Sequence, residues 1–303
     1  MRLFLVLALA ACGEVRPLAI DAPAEDAPDT ADTPPAPGTK TTLIVSSANG
    51  ARIDFWPIGT GGNTAPTRTI TGPETSLIRP TAMIVVGAEL YVTQFAGGAV
   101  HVFPVTGMGD IRPIRFITGP ATKLAQPTSI ARVGNEIFVG DSSAIHVFPL
   151  TANGDVAPTR SITGAATQLT LVTGIEVRGN EMFVSSGNNN AVHVFDVSAS
   201  GDVAPIRSIV GASTRLGLPA DLEVVNGEIF VANQSLDSIT VYPANGNGDL
   251  APIREIIGPS TKAMGPWGMI HEDGQLWLTC FRVNELNLFP IGATGDVPPT
   301  RTL

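Results

Sequence analysis

Residues 175–210 read IEVRGNEMFVSSGNNNAVHVFDVSASGDVAPIRSIV, and this stretch decides the fold. Ile175 to Val177, Glu181-Met182-Phe183-Val184, Val192-His193-Val194-Phe195 and Arg207-Ser208-Ile209-Val210 are four short runs rich in β-branched and aromatic residues, each too short for a helix. Between them lie Arg178-Gly179-Asn180, Gly187-Asn188-Asn189-Asn190 and Ser200-Gly201-Asp202, whose Gly and Asn residues accept the positive φ of hairpin turns. The cassette is therefore an antiparallel four-stranded meander. It recurs: the strings IDFWP, VHVFP, IHVFP, VHVFD, ITVYP and LNLFP end at Pro57, Pro104, Pro149, Asp196, Pro243 and Pro290, in steps of 47, 45, 47, 47 and 47 residues. That period belongs to blade or solenoid architectures. A single meander exposes both faces, whereas a radial array buries each face against a neighbour, so the sequence predicts an all-β, six-bladed β-propeller.

The repeat runs unbroken to the end of the 303 residues, so residues 41–303 form one domain despite a length that would admit two. Only 15% of residues are charged, while Gly (32) and Pro (25) abound, as expected of short strands and tight turns. A net charge of −9 without any Lys/Arg cluster argues against nucleic-acid binding.

The strings Pro127-Thr128-Ser129-Ile130, Gly134 to Asp141 (GNEIFVGD) and Ile145-His146-Val147-Phe148 resemble the NHL repeat of β-propellers, and the match recurs over residues 43–303. The resemblance implies that the strand of Ile130 is innermost and that of Arg160-Ser161-Ile162 outermost. The insert Pro-x-x-x-x-Gly-Asp-x-x-Pro-x-Arg, seen at Pro104 to Arg115 and Pro243 to Arg254, departs from the family and leaves the subfamily open. Second strands begin at Leu43, Leu90, Ile137, Met182, Ile229 and Leu276. Rim strands follow Arg68, Arg115, Arg160, Arg207, Arg254 and Arg301. Inner strands number five, near Met83, Ile130, Ile175, Leu222 and Met269. The first blade thus has three strands, or Arg16 to Asp21 (RPLAID) folds back as its fourth.

The N-terminus carries a different signal. Arg2, the apolar run Leu3 to Ala10 and Leu9-Ala10-Ala11-Cys12 resemble a bacterial lipoprotein signal peptide over residues 1–11. The resemblance implies cleavage before Cys12, acylation of that residue with fatty chains such as palmitate, and a membrane-anchored protein of the cell envelope. Residues 12–40 then form a tether rich in Pro, Ala and Asp, with a reach of roughly 30 Å as a coil and about 90 Å as polyproline II.

Candidate sites are sparse. His101, His146 and His193 share one cassette position on the third strand, roughly 15 Å from the axis, too far apart for one zinc ion. On the inner strands Arg132 and His271 replace valines, and Glu176 and Glu223 replace apolar residues, giving a polar channel cluster in which Arg132 and Glu176 are expected to pair. The loops at one end of the ring collect Thr81, Thr128, Thr173, Asp221 and Trp267 with Gln94, Phe95, Asp141, Asn188, Asn233, Phe281 and Arg282, which vary between copies. An exposed Trp267 beside Phe281 and Arg282 has the composition of a binding hot spot. The Gly-Asp turns lack calcium-loop ligands, and the rim arginines read as edge protection. Cys280 is expected as a buried thiol. No nucleophile elbow, zinc-protease helix or phosphate loop occurs, so no cofactor or metal is expected. The function expected is a monomeric binding or scaffolding propeller for a protein, glycan or small molecule. The alternative is an enzyme of lyase or lactonase type with an axial site.

Overall fold

The computed structural model describes residues 40–303, with side chains from Thr42 onward, together with the backbone course of Leu3–Leu9. Six small sheets stand in a ring, a six-bladed β-propeller. In the first blade β1 (Leu3–Leu9) is followed by β2 (Lys40–Ser47), β3 (Arg52–Pro57) and β4 (Arg68–Thr71). The second blade has β5 (Pro80–Val86), β6 (Glu89–Gln94), β7 (Ala99–Pro104) and β8 (Arg115–Thr118). Blades 3 to 6 repeat the second, with inner strands Pro127–Val133, Val172–Arg178, Pro219–Val225 and Pro266–Glu272 and a last rim strand Arg301–Thr302. The antiparallel meander of the first blade has three strands, whereas the others have four. Its inner position is taken by β1, which runs parallel to β2 with Leu5 opposite Leu43 and Leu7 opposite Val45. The alternative occupant, Arg16 to Asp21, lies outside the described residues, as do Cys12 and the rest of the tether.

Second strands read as nearly unbroken buried runs because radial stacking covers both of their faces. In β6, Leu90 and Val92 pack toward blade 1 with Met83, Val85 and Ile44, while Tyr91 packs toward blade 3 with Ile130 and Ile137. The core is thus a series of inter-blade layers. Among the described residues, no helix is long and apolar enough to cross a membrane.

The Gly-Asp inserts explain how adjacent blades lock. Gly109 N donates to Thr69 O at 2.7 Å and Thr71 N to Gly109 O at 3.1 Å, so the insert of blade 2 adds a one-residue bridge to the rim strand of blade 1. Asp110 then accepts from Glu74 N at 2.8 Å, capping the 3-10 turn Pro73–Thr75. Asp155, Asp202, Asp249 and Asp296 repeat this on Ala121, Ala166, Ser213 and Ser260, each at 2.7 Å. Gly62 N closes the ring on Thr302 O at 2.8 Å.

Each capped turn is preceded by a glycine whose φ lies between 124° and 140°. At Gly164 a Cβ would sit 2.3 Å from Asp202 Cγ, and its φ of 129° is open to essentially no other residue. Gly164→Ala is expected to lower stability by about 2 kcal/mol, from backbone strain and the displaced carboxylate. Gly179→Ala, with open space around the added methyl, should cost about 1 kcal/mol. Chemical denaturation of the two variants checks the difference.

Candidate functional site

The loops from rim to inner strand and from second to third strand open on one end of the ring, where the variable residues were expected to meet a ligand. Most of them are buried. Thr81, Thr128 and Thr173 are fully buried, and Asp221 and Trp267 nearly so. Thr81 Oγ1 donates to Pro127 O at 2.9 Å, and Thr173 Oγ1 to Pro219 O at 2.6 Å, so these hydroxyls join neighbouring inner strands. Asp221 Oδ2 accepts from Met269 N at 3.0 Å across the next joint. Trp267 is 1% exposed and packs in one cluster with Ala220, Ile44 and Ala48, which corrects the expectation of an exposed hot spot. The sequence could not tell a side chain above the inner strand from one wedged between two of them.

Variation at the end of the second strand has a similar explanation. Gln94 Oε1 accepts from Ile78 N at 2.8 Å, Asp141 Oδ1 from Gln126 N at 2.9 Å, Ser186 Oγ from Thr170 N at 2.9 Å and Asn233 Oδ1 from Gly217 N at 3.1 Å. Four residue types supply one acceptor to one loop, and Cys280 holds the corresponding position in blade 6. Burial pushes its thiol up to about 12. Copy-to-copy difference here is exchange among groups with equal roles.

An accessible patch on this end lies at the joint between blades 5 and 6, and Ile78, 52% exposed, lies in the link between blades 1 and 2. Arg282 is exposed, forms a two-bond pair with Asp237 at 2.8 and 3.0 Å and stands over the half-buried Phe281 ring. Leu236 and Met264 are 46% and 44% exposed. With Lys262, Pro259 and Ile257 they line a shallow groove of about 380 Å³. Phe95 lies farther round, beneath Arg79 at 4.5 Å.

The polar channel residues sit on the C-terminal halves of the inner strands, toward the opposite end of the ring. Glu223 is buried, whereas Arg132, Glu176 and His271 are half-buried. Glu176 Oε1 accepts from Arg178 Nη2 at 2.7 Å, and Arg132 Nε donates to Gly134 O at 2.8 Å. Among the described residues, no three His, Cys, Asp or Glu side chains converge as a metal site.

A repeated constellation escaped the sequence reading. Arg160 Nη1 donates to Glu136 at 2.8 Å, stands 5.1 Å over the Phe138 ring and reaches Val197 O of the next blade at 3.4 Å. Arg207 repeats this with Glu181, Phe183 and Ala244 O, and Arg254 with Glu228, Phe230 and Ile291 O. Arg115 does so with Glu89, Tyr91 and Leu150 O. Arg115, Arg160, Arg207 and Arg254 are clamps between blades rather than guards of a free edge. The Arg guanidinium holds the Glu89 and Glu181 carboxyls below their usual range. The signal was present as Glu at the start of the second strand wherever these four arginines occur, with Thr42 and Gln275 in the end blades. Arg207→Ala should cost about 2 kcal/mol, read as a shift in denaturation midpoint, because it leaves a carboxylate and a carbonyl short of their donor.

No protein-family model and no curated protein matches this chain. Solved structures do. A putative 6-phosphogluconolactonase from Bacteroides uniformis ATCC 8492 superimposes with TM-score 0.57 and 15% identity, covering 83% of this chain and 77% of that one. The WD40 β-propeller domain of Doa1 gives TM-score 0.54 at 10% identity over 84% and 80%. The computationally designed Ika8 protein gives TM-score 0.51 at 12% identity over 88% and 72%. At such identities the likeness defines the class of fold, the β-propeller, and nothing finer.

Proposed function

We propose that this chain is an envelope lipoprotein, anchored through acylated Cys12, whose monomeric NHL-like propeller binds a protein, glycan or small molecule in the groove between blades 5 and 6. The observation that carries the binding reading is that groove. Exposed Leu236 and Met264 stand beside the Arg282–Asp237 pair and Phe281, apolar surface next to an oriented charge. The lipobox-like Leu9-Ala10-Ala11-Cys12 supports the anchoring. Cys12→Ser is expected to abolish incorporation of a labelled fatty acid and to release the protein from membranes; equal labelling of variant and parent overturns the anchor. For the groove, a photo-crosslinking residue at position 264 should capture a ligand from panels of envelope glycans and peptides. Arg282→Ala should weaken that binding about ten-fold, and Asn135→Ala at the opposite end should leave it unchanged. A larger loss from Asn135→Ala places the site on the wrong end.

The polar channel cluster supports a second reading, an axial enzyme of lyase or lactonase type. Glu223 and His271 would be its acid and base. Lactone hydrolysis by the purified protein, lost in Glu223→Gln, tests it.

A further inference from the structure

One hydrogen bond recurs at three joints of the inner ring, those after blades 2, 3 and 4, while Ala220 in blade 5 has no side-chain donor. Thr81 Oγ1 reaches Pro127 O, Thr128 Oγ1 reaches Val172 O and Thr173 Oγ1 reaches Pro219 O. In each case the second residue of an inner strand donates to the first residue of the next inner strand. Trp267 holds the donor position in blade 6, and its buried Nε1 has no hydrogen-bond partner among the described residues. By the pattern of blades 2 to 4, its acceptor is the first carbonyl of the inner strand of blade 1. A buried indole N–H without an acceptor is uncommon enough to mark a missing partner.

Four inner strands also have a shared opening, from which blade 4 departs with Val172 in place of the proline. Pro80 to Met83 reads PTAM, Pro127 to Ile130 PTSI, Pro219 to Leu222 PADL and Pro266 to Met269 PWGM. Each is a proline, any residue, a small residue or Asp, then Met, Ile or Leu. Pro17-Leu18-Ala19-Ile20 repeats the pattern, and Asp21 follows where Glu176 and Glu223 follow in blades 4 and 5. Leu3–Leu9 has neither the proline nor the direction, since it lies parallel to β2 while every other inner strand is antiparallel to its neighbour.

We propose that the inner position of blade 1 is a strand-acceptor site, held by Leu3–Leu9 before processing and by Pro17 to Ala22, antiparallel to β2, once residues 1–11 are removed. This rests on the lipoprotein reading. By the register of blade 2, where Pro80 faces Gln94 and Met83 faces Val92, Pro17 faces Ser47 and Ile20 faces Val45. Pro17 O then meets the indole N–H of Trp267. The connection, residues 23–39, replaces a two-residue turn, at a closure cost that grows only with the logarithm of its length. Cys12 enters from the end that carries the groove, five residues before Pro17, a span of about 17 Å when extended. The anchor thus holds the grooved end toward the membrane.

Hydrogen exchange of the protein purified from membranes tests this, with its intact mass reporting whether residues 1–11 are gone. In the processed chain the amides of residues 18–22 and of β2 should exchange about a hundred-fold more slowly than those of residues 24–38. Ile20→Asp should speed exchange at both places, and Ile20→Val should not. Exchange of residues 18–22 as fast as residues 24–38 overturns the proposal. If the mass shows residues 1–11 retained, the processing reading fails by itself. Docking is then read in the Leu5→Asp/Leu7→Asp chain, where slow exchange of residues 18–22 upholds it and fast exchange ends it.

Discussion

Deleting residues 269–303 is expected to abolish the fold rather than yield a five-bladed ring. The last blade shares one buried layer with each neighbour. Toward blade 5, Met269, Leu276, Leu278 and Phe289 pack on Phe230, Ala232, Ile239 and Val241. Toward blade 1, Ile270, Trp277, Leu286 and Leu288 pack on Leu43 and Val45. Removing the blade lays open the second side of both layers, two apolar sheet faces with nothing to cover them. It also removes the Thr302 O that takes the Gly62 N–H. Closing a gap of one blade would require every remaining joint to rotate, yet each joint is fixed by an Asp cap on a 3-10 turn and the middle joints by an arginine clamp. Exposed apolar faces of this size drive association. Size-exclusion chromatography should show aggregates, and a thermal melt should show no cooperative transition. A soluble, cooperatively melting product would mean that the blades are more independent than their shared layers imply.

The parts of this structure legible in the sequence are those that repeat. Strand order, blade number and the three-stranded meander of blade 1 follow from punctuation: Gly-Asn and Asn-Gly turns, the Pro-x-x-x-x-Gly-Asp insert and β-branched runs of fixed length. What the repeat could not convey is which neighbour a side chain meets, because that depends on the packing between copies. Trp267 reads as a surface anchor when set beside Phe281 and Arg282, and becomes a wedge once inner strands converge. Gln94, Asp141 and Asn233 read as divergence, and prove to be one acceptor that blade 4 supplies from Ser186. The rim arginines carried their partners in the same copy, but an Arg and a Glu separated by two strands look unrelated until the meander folds them onto one face. Leu3–Leu9 poses the converse problem, since an apolar run of seven suits both a membrane-directed signal and a buried strand.

Acid should destabilise the protein well above the pH at which carboxylates titrate, because of its third-strand histidines. Burial lowers His101 and His193 from 6.5 to about 4, and lowers His146 as well. These rings fold neutral: His193 Nδ1 lies 2.8 Å from Ser208 Oγ, and His101 packs edge-on to Phe116. In the unfolded chain His101 and His193 take up protons below about pH 6.5, whereas in the folded chain they resist until about pH 4. The unfolded state therefore binds more protons throughout that window, so stability rises with pH across it and is lost as pH falls. For His101 and for His193 the loss is on the order of 3 kcal/mol each at pH 4 and about 2 at pH 5, from the size of the shift. Glu89 and Glu181, lowered by their arginines, contribute stability that is present above their unfolded value and disappears at still lower pH. Asn287 occupies the histidine position in blade 6 and donates to Lys262 O at 3.1 Å, so His101→Asn/His193→Asn should fold. Urea denaturation at pH 7 and pH 5 should show the parent losing several kcal/mol between the two pH values and the double variant losing less than half as much. An equal loss in both proteins would mean that other groups set the acid limit.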